Sequence, residues 1–175
     1  MIDSMKTNPT VTILIPYKNN LNYIFDAIES VFRQTYRNIK IIIIYDDEDK
    51  NDYYVIKKYF KSKKKKTFKL KIILNKKNLG AGHSRNIGIK NCNTKYIAFL
   101  DADDLWAKNK LKIQVDFMEK NKQVFSHSSY SIINSNKKII SKRRAKAIIS
   151  FEELIKSCDI GLSTVVLNLK FIKKN

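Results

Sequence analysis

The sequence is poor in residues that break or staple a chain. Four glycines and two prolines occur in 175 residues. That excludes flexible linkers, collagen-like repeats and low-complexity segments. Two cysteines, Cys92 and Cys158, make no disulfide framework. With no apolar signal core in the first ten residues, they point to a reduced, cytoplasmic setting. No apolar run approaches the roughly 20 residues of a membrane-spanning helix. His83 and His127 are isolated and do not join the cysteines, so no zinc site is expected.

Arginine is also scarce, standing only at 33, 37, 85, 143 and 144, so lysine carries most of the net charge of +19. A nucleic-acid surface concentrates arginine and aromatics on one face. The densest basic run, Lys61 to Lys66, contains no aromatic. It reads as a solvated loop, with attraction to an anionic membrane surface as the second reading. Nucleic acid ranks last.

What remains is a globular composition, 43% hydrophobic and 29% charged, enough for one domain with a buried core. Val11–Ile15 is a β-branched run ended by Pro16 and predicts a buried strand. Leu21–Gln34 follows with Ile24, Ala27, Ile28, Val31 and Phe32 at helical spacing. Ile41–Tyr45 is unbroken apolar, as in a central strand covered on both faces. Asp52–Phe60 predicts a helix, Leu70–Leu74 a strand and Gly80–Lys90 a glycine turn entering a helix. Tyr96–Leu100 predicts a fourth strand and Lys110–Lys120 a further helix. Such alternation predicts a parallel sheet with right-handed crossovers. The remainder differs. Val124–Ile133 and Lys138–Ile140 predict antiparallel strands, Ser150 and Glu153 a capping box, and Thr164–Leu169 a last strand.

Open parallel sheets bind ligands beyond the carboxyl ends of their strands. The residues there are Pro16-Tyr17-Lys18-Asn19, Asp46-Asp47, Asn75 onward and Asp101 to Asp104. Two ends carry clustered carboxylates, which repel unless a cation or hydrogen-bond donors neutralise them. A hard divalent ion that also takes phosphate oxygens suits such a cluster. Gly80 to Arg85 opens a helix N-terminus, where free N–H groups favour an anion, and Arg85 adds a forked donor for a diphosphate. A dinucleotide fingerprint would need glycine where Arg85 stands. A plain glycine turn and a plain aspartate turn are the alternatives at these two places.

Five motifs in order across residues 11–106 resemble the family-2, inverting glycosyltransferases of the GT-A fold. They are Ile13-Leu14-Ile15-Pro16 with Asn19, then Ser30-Val31 with Gln34-Thr35-Tyr36 and Asn38, then Asp46-Asp47. The last two are Gly80 to Ile89 and Phe99 to Asp104. Ser163-Thr164-Val165-Val166 also looks like a later strand of that family. The resemblance implies a Rossmann-like α/β fold. Its mostly parallel central sheet would be flanked by helices, with a smaller antiparallel part toward the C-terminus. It implies metal-dependent transfer from a nucleotide-diphospho-sugar, a UDP-sugar above all. The acceptor would be a saccharide or a lipid-linked saccharide in bacterial surface-glycan synthesis. Carried over residue by residue, Pro16, Tyr17 and Asn19 would wall the base and Asp46 would accept a hydrogen bond from it. Arg85 would approach the diphosphate and Asp101 the ribose or sugar. Asp103, with Asp101, would ligate Mn2+ or Mg2+, and Asp104 would lie near the metal or the donor sugar.

Two departures stand out. Lys18 occupies a position where the family commonly has an aromatic, and Glu48 to Asp52 replaces a Gly-Ser-x-Asp loop. Inversion also needs an acceptor-side carboxylate as base. Of the later acids, Glu152, Glu153 and Asp159 do not fit the expected context. The expectation is therefore a single truncated GT-A domain over 1–175, with its base beyond Asn175. Residues 11–106 would be the nucleotide-sugar half and 107–175 the start of the acceptor half. It would act in the cytoplasm or peripherally at the inner membrane face. The rival is a catalytically incomplete nucleotide-sugar-binding module. A nucleotidyltransferase ranks lower, because Pro16 to Asn20 holds no glycine loop.

Overall fold

The computed structural model describes residues 8–63, 68–157 and 159–172. Cys158 and the end of the lysine run fall outside them. In chain order the elements begin β1 (Val11–Tyr17), α1 (Leu21–Phe32), β2 (Ile39–Tyr45) and α2 (Asn51–Ser62). Then come β3 (Lys69–Leu74), α3 (Ala81–Lys90), β4 (Tyr96–Phe99) and α4 (Lys110–Lys120). The later part comprises β5 (Phe125–Ser126), β6 (Tyr130–Ile133), β7 (Ile139–Arg143), α5 (Phe151–Lys156), β8 (Val166–Asn168) and α6 (Leu169–Ile172). A 3₁₀ turn, Leu162–Thr164, precedes β8.

Six strands form one sheet in the order β3-β2-β1-β4-β8-β5, while β6 and β7 pair only with each other. β1 runs parallel to β2 and β4, and β2 parallel to β3. β8 is antiparallel to both β4 and β5. This is the mixed α/β architecture that the alternating pattern implies.

The unbroken apolar runs are explained by a sheet buried on both sides. Alternate residues of a strand face opposite ways. Ile13, Ile15, Ile41 and Ile43 join one core with Ile24, Ile28 and Val31 of α1, Ile56 of α2, and Leu111, Val115 and Met118 of α4. Leu14, Ile42, Ile44, Ile97 and Phe99 join the other, against Ile87 and Ile89 of α3. On that side Gly88 lets α3 come very close: a Cβ there would fall 2.1 Å from Leu14 Cδ1.

Several boundaries differ from expectation. Pro16 does not end β1, which continues to Tyr17. Tyr17 C=O accepts from Asp46 N–H at 2.8 Å on the β2 side, whereas Leu14 C=O accepts from Leu100 N–H at 3.0 Å on the β4 side. Pro16 shares parity with Leu14, so its missing N–H falls where the β4 ladder stops, and the β2 ladder loses nothing. α2 runs on to Ser62, so Lys61 is helical rather than in a loop. The single strand expected over Val124–Ile133 is two: β5 joins the main sheet and β6 the hairpin. The capping box holds, with Glu153 N–H donating to Ser150 Oγ at 3.2 Å and Ser150 N–H to Glu153 Oε2 at 3.0 Å.

Candidate functional site

Parallel β2, β1 and β4 are neighbours, so their carboxyl ends open on one edge of the sheet. Asp46 follows β2 and Asp101 follows β4, with β1 between. Two strand spacings separate their strands, about 10 Å. That is the span of a small ligand, not of opposite sides of the molecule.

Asp46 is 3% exposed. Its Oδ1 accepts from Asn75 Nδ2 at 2.7 Å and from Leu79 N–H at 2.8 Å. Asn75 Nδ2 also donates to Ser84 Oγ of α3 at 3.2 Å. The carboxylate thus pins the segment that feeds α3. Gly80 caps that helix at φ 84°, ψ 159°, a conformation essentially restricted to glycine. No side chain caps the α3 N-terminus, so its first N–H groups stay available to an anion.

One turn into α3, Arg85 Nη2 donates to Asp101 Oδ1 at 2.6 Å. Arg85 Nε is buried without a hydrogen-bond partner. Asp101 N–H donates to Ser163 Oγ at 3.0 Å, and Ser163 Oγ donates to Asp104 Oδ2 at 2.5 Å. Trp106 Nε1 donates to Ser163 C=O at 2.8 Å, and Trp106 N–H to Ser30 Oγ at 3.1 Å. Ser163 therefore ties the aspartate turn to the 3₁₀ turn before β8. Desolvation pushes the Asp104 carboxyl above the ordinary range, the Ser163 hydroxyl pulls it back, and the Asp101 and Asp103 charges push it up again. Asp103 is exposed and makes no hydrogen bond or ion pair among the described residues.

The β1 side is arranged differently from expectation. Pro16 is partly buried, and Lys18 and Asn19 are exposed, with Asn19 at φ 41°. Tyr17, by contrast, is 1% exposed, stacked on Tyr45 at 5.1 Å between ring centroids, with its hydroxyl donating to Asp52 Oδ2 at 2.5 Å. Burial raises its hydroxyl pKa well above the ordinary value, and the Asp52 bond adds to the rise. A ring packed this way offers a ligand no open face.

Among the described residues no three His, Cys, Asp or Glu side chains converge on one point. Asp101 is partly committed to Arg85, Asp104 holds the Ser163 hydroxyl, and Asp103 is free. That donor set fits a hard cation taking one or two carboxylates and completing its shell with phosphate oxygens and water. It does not fit an all-protein cage. Of the downstream acids, Glu153 and Asp159 both lie on Lys146, at 2.9 and 3.7 Å.

Three contributors have no role assigned from sequence. Asn75 and Ser163 matter through what they hold, and only Ser163 falls inside a family-like motif. Lys110 is the first residue of the expected helix and has no role assigned from sequence. Its Nζ lies 4.3 Å from the centre of the Trp106 ring and donates to Gln114 Oε1 at 2.7 Å. Burial holds its ammonium down to about 7.

The chain is similar to proteins of known family. A Rickettsia felis protein described as an uncharacterized glycosyltransferase is 40% identical over 94% of this chain and 27% of its own length. The Escherichia coli UDP-Glc:alpha-D-GlcNAc-diphosphoundecaprenol beta-1,3-glucosyltransferase WfgD is 36% identical over 90% of this chain and 60% of its own length. This chain therefore spans less than two thirds of either relative. A mannosyltransferase from Pyrobaculum calidifontis, solved with GDP-Man and Mn2+, superposes with a TM-score of 0.72 at 12% identity, over 97% of this chain and 47% of that one. That likeness establishes the shared GT-A fold. The model of glycosyl transferase family 2 matches residues 12–174, and the chain belongs to that family.

Proposed function

We propose that this chain is the donor-binding part of an inverting glycosyltransferase of bacterial surface-glycan synthesis. It takes a UDP-sugar at the carboxyl ends of β2, β1 and β4, and the sugar passes to a saccharide or lipid-linked acceptor. The observation that carries the reading is the clamp on α3. Asp46 holds its approach segment, and Arg85 ties its first turns to Asp101. The helix N-terminus is thereby fixed between two acidic strand ends.

In this reading the base lies at Asp46, against the wall formed by Pro16 and Asn19, with Tyr17 as buried support. Arg85 turns its forked donor to the diphosphate, and its partnerless Nε gains an acceptor there. Asp103, with Asp101, would hold Mn2+ or Mg2+, and Asp104 would lie toward the donor sugar. The bound cation would offset the charge that develops on the departing diphosphate. The relative WfgD is named for a UDP-Glc donor and a diphosphoundecaprenol-linked acceptor, which supports both substrate classes.

Titration calorimetry with UDP, with and without Mn2+, tests the reading. Metal-enhanced heat is expected, and its absence at any metal level would sink the proposal. One observation favours a second reading, donor binding without transfer: Glu153 and Asp159 are both engaged with Lys146. Transfer or donor hydrolysis by this chain alone would discard it.

A further inference from the structure

Residues 137–156 contain seven lysines and arginines against two glutamates. The same stretch exposes large apolar side chains. α5 has no buried residue. Phe151, Leu154 and Ile155 stand at i, i+3 and i+4, so they share one helix face. Phe151 is 75% exposed, Ile155 69% and the preceding Ile148 87%. Ile139 and Ile140 of β7 are exposed too. Exposed apolar side chains grouped on one helix face mark an interaction site.

The charges indicate which partner. Glu153 is turned back into its capping box and paired with Lys146. Lys138, Lys142, Arg143 and Arg144 make no ion pair among the described residues. Exposed apolar side chains and unpaired cations thus alternate along residues 138–155, the composition of an interfacial element on an anionic bilayer. A nucleic-acid face would instead offer stacking aromatics among arginines. No helix of the described residues is long and apolar enough to cross a membrane, so docking would be at the surface. β6 comes near the site: a Cβ at Gly161, two residues before Ser163, would fall 3.4 Å from Tyr130 Cε1.

We infer that the β6–β7 hairpin and α5 form a docking face for an anionic lipid surface. The surface would be read through the apolar α5 face and the unpaired Lys138, Lys142, Arg143 and Arg144. The inference rests on the proposed function only for the acceptor's class; the lipid contact itself is independent of donor binding.

The test is co-sedimentation of this chain with phosphatidylcholine vesicles containing or lacking phosphatidylglycerol, at low and high salt. Binding to the anionic vesicles at low salt, weakened by salt, is expected. Phe151→Ser with Ile155→Ser, and separately Lys138→Glu, Lys142→Glu and Arg143→Glu together, should each reduce partitioning at least about tenfold. All substituted residues are exposed, so circular dichroism and melting should stay unchanged. Failure of the unsubstituted chain to bind anionic vesicles would overturn the inference. So would unchanged binding by the apolar pair, a dimer that this pair dissolves while lipid is ignored, or preference for a DNA duplex. UDP titration of the apolar pair separates the two ideas. Donor heat without lipid binding leaves the proposed function standing, and lipid binding by a chain that gives no donor heat leaves this one.

Discussion

Arg85 Nη2 lies 2.6 Å from Asp101 Oδ1, and this pair links the first turns of α3 to the end of β4. The guanidinium has a second role available, because its buried Nε has no partner. A buried orphan donor costs about 1–3 kcal/mol, which an arriving diphosphate oxygen would recover. Arg85→Met should therefore weaken UDP binding at least tenfold, about 1.4 kcal/mol. Arg85→Lys should recover little, since an ammonium cannot reproduce the fork. Calorimetry on both variants checks this, and full recovery by lysine would remove the forked contact from the site.

Asp103 is the one acid of the turn with no hydrogen bond or ion pair among the described residues. Asp103→Asn keeps its size and removes its charge. The expected outcome is loss of the Mn2+ enhancement of UDP binding, with metal-free affinity unchanged and melting shifted little. If Mn2+ still enhances binding in the variant, Asp103 is not the ligand.

Two glycines position α3, each for its own reason. Gly80 sits at φ 84° with open space where a Cβ would go, so Gly80→Ala is strained by backbone alone, by about 1–3 kcal/mol. Gly88 is confined by Leu14, which is fully buried, so Gly88→Ala overpacks by about 1–3 kcal/mol. Denaturant unfolding of Gly88→Ala, of Leu14→Ala and of the pair should show strong coupling. Gly80→Ala should show none with Leu14.

The central strands were legible in sequence because a sheet buried on both faces leaves continuous apolar runs such as Ile41–Tyr45. The acids at their ends were legible because carboxylates cluster there without a local reason. α4 matched because Leu111, Val115 and Met118 keep a helical period and are buried on one side. What was not legible depended on pairing between distant segments. Val124–Ile133 has one composition throughout, yet Phe125–Ser126 pairs with β8 while Tyr130–Ile133 pairs with β7. Tyr17 resembled a ligand wall until its neighbours Tyr45 and Asp52, brought together by folding, showed it packed inward. Ser163 is a single serine whose importance lies in bonds to residues more than fifty positions away.

Lys110 makes the fold sensitive to pH in an unusual direction. Burial holds its ammonium down to about 7, far below the value of an unfolded lysine, near 10.4. Between those values the unfolded chain binds a proton that the native chain does not. Stability should therefore rise with pH across this window, by up to about 1.4 kcal/mol per pH unit from this group. The penalty is fully present below about 7 and is relieved as the amine deprotonates. Lys110→Met keeps the length and removes the titration. Measured by urea unfolding, the variant should be more stable than the parent at pH 6. That advantage should shrink toward pH 10, where the parent keeps the bond to Gln114 Oε1. Tyr17 and Tyr96, both held protonated by burial, titrate equally in the two proteins and cancel in the difference. A difference that does not change with pH would mean that Lys110 keeps an ordinary ammonium over Trp106.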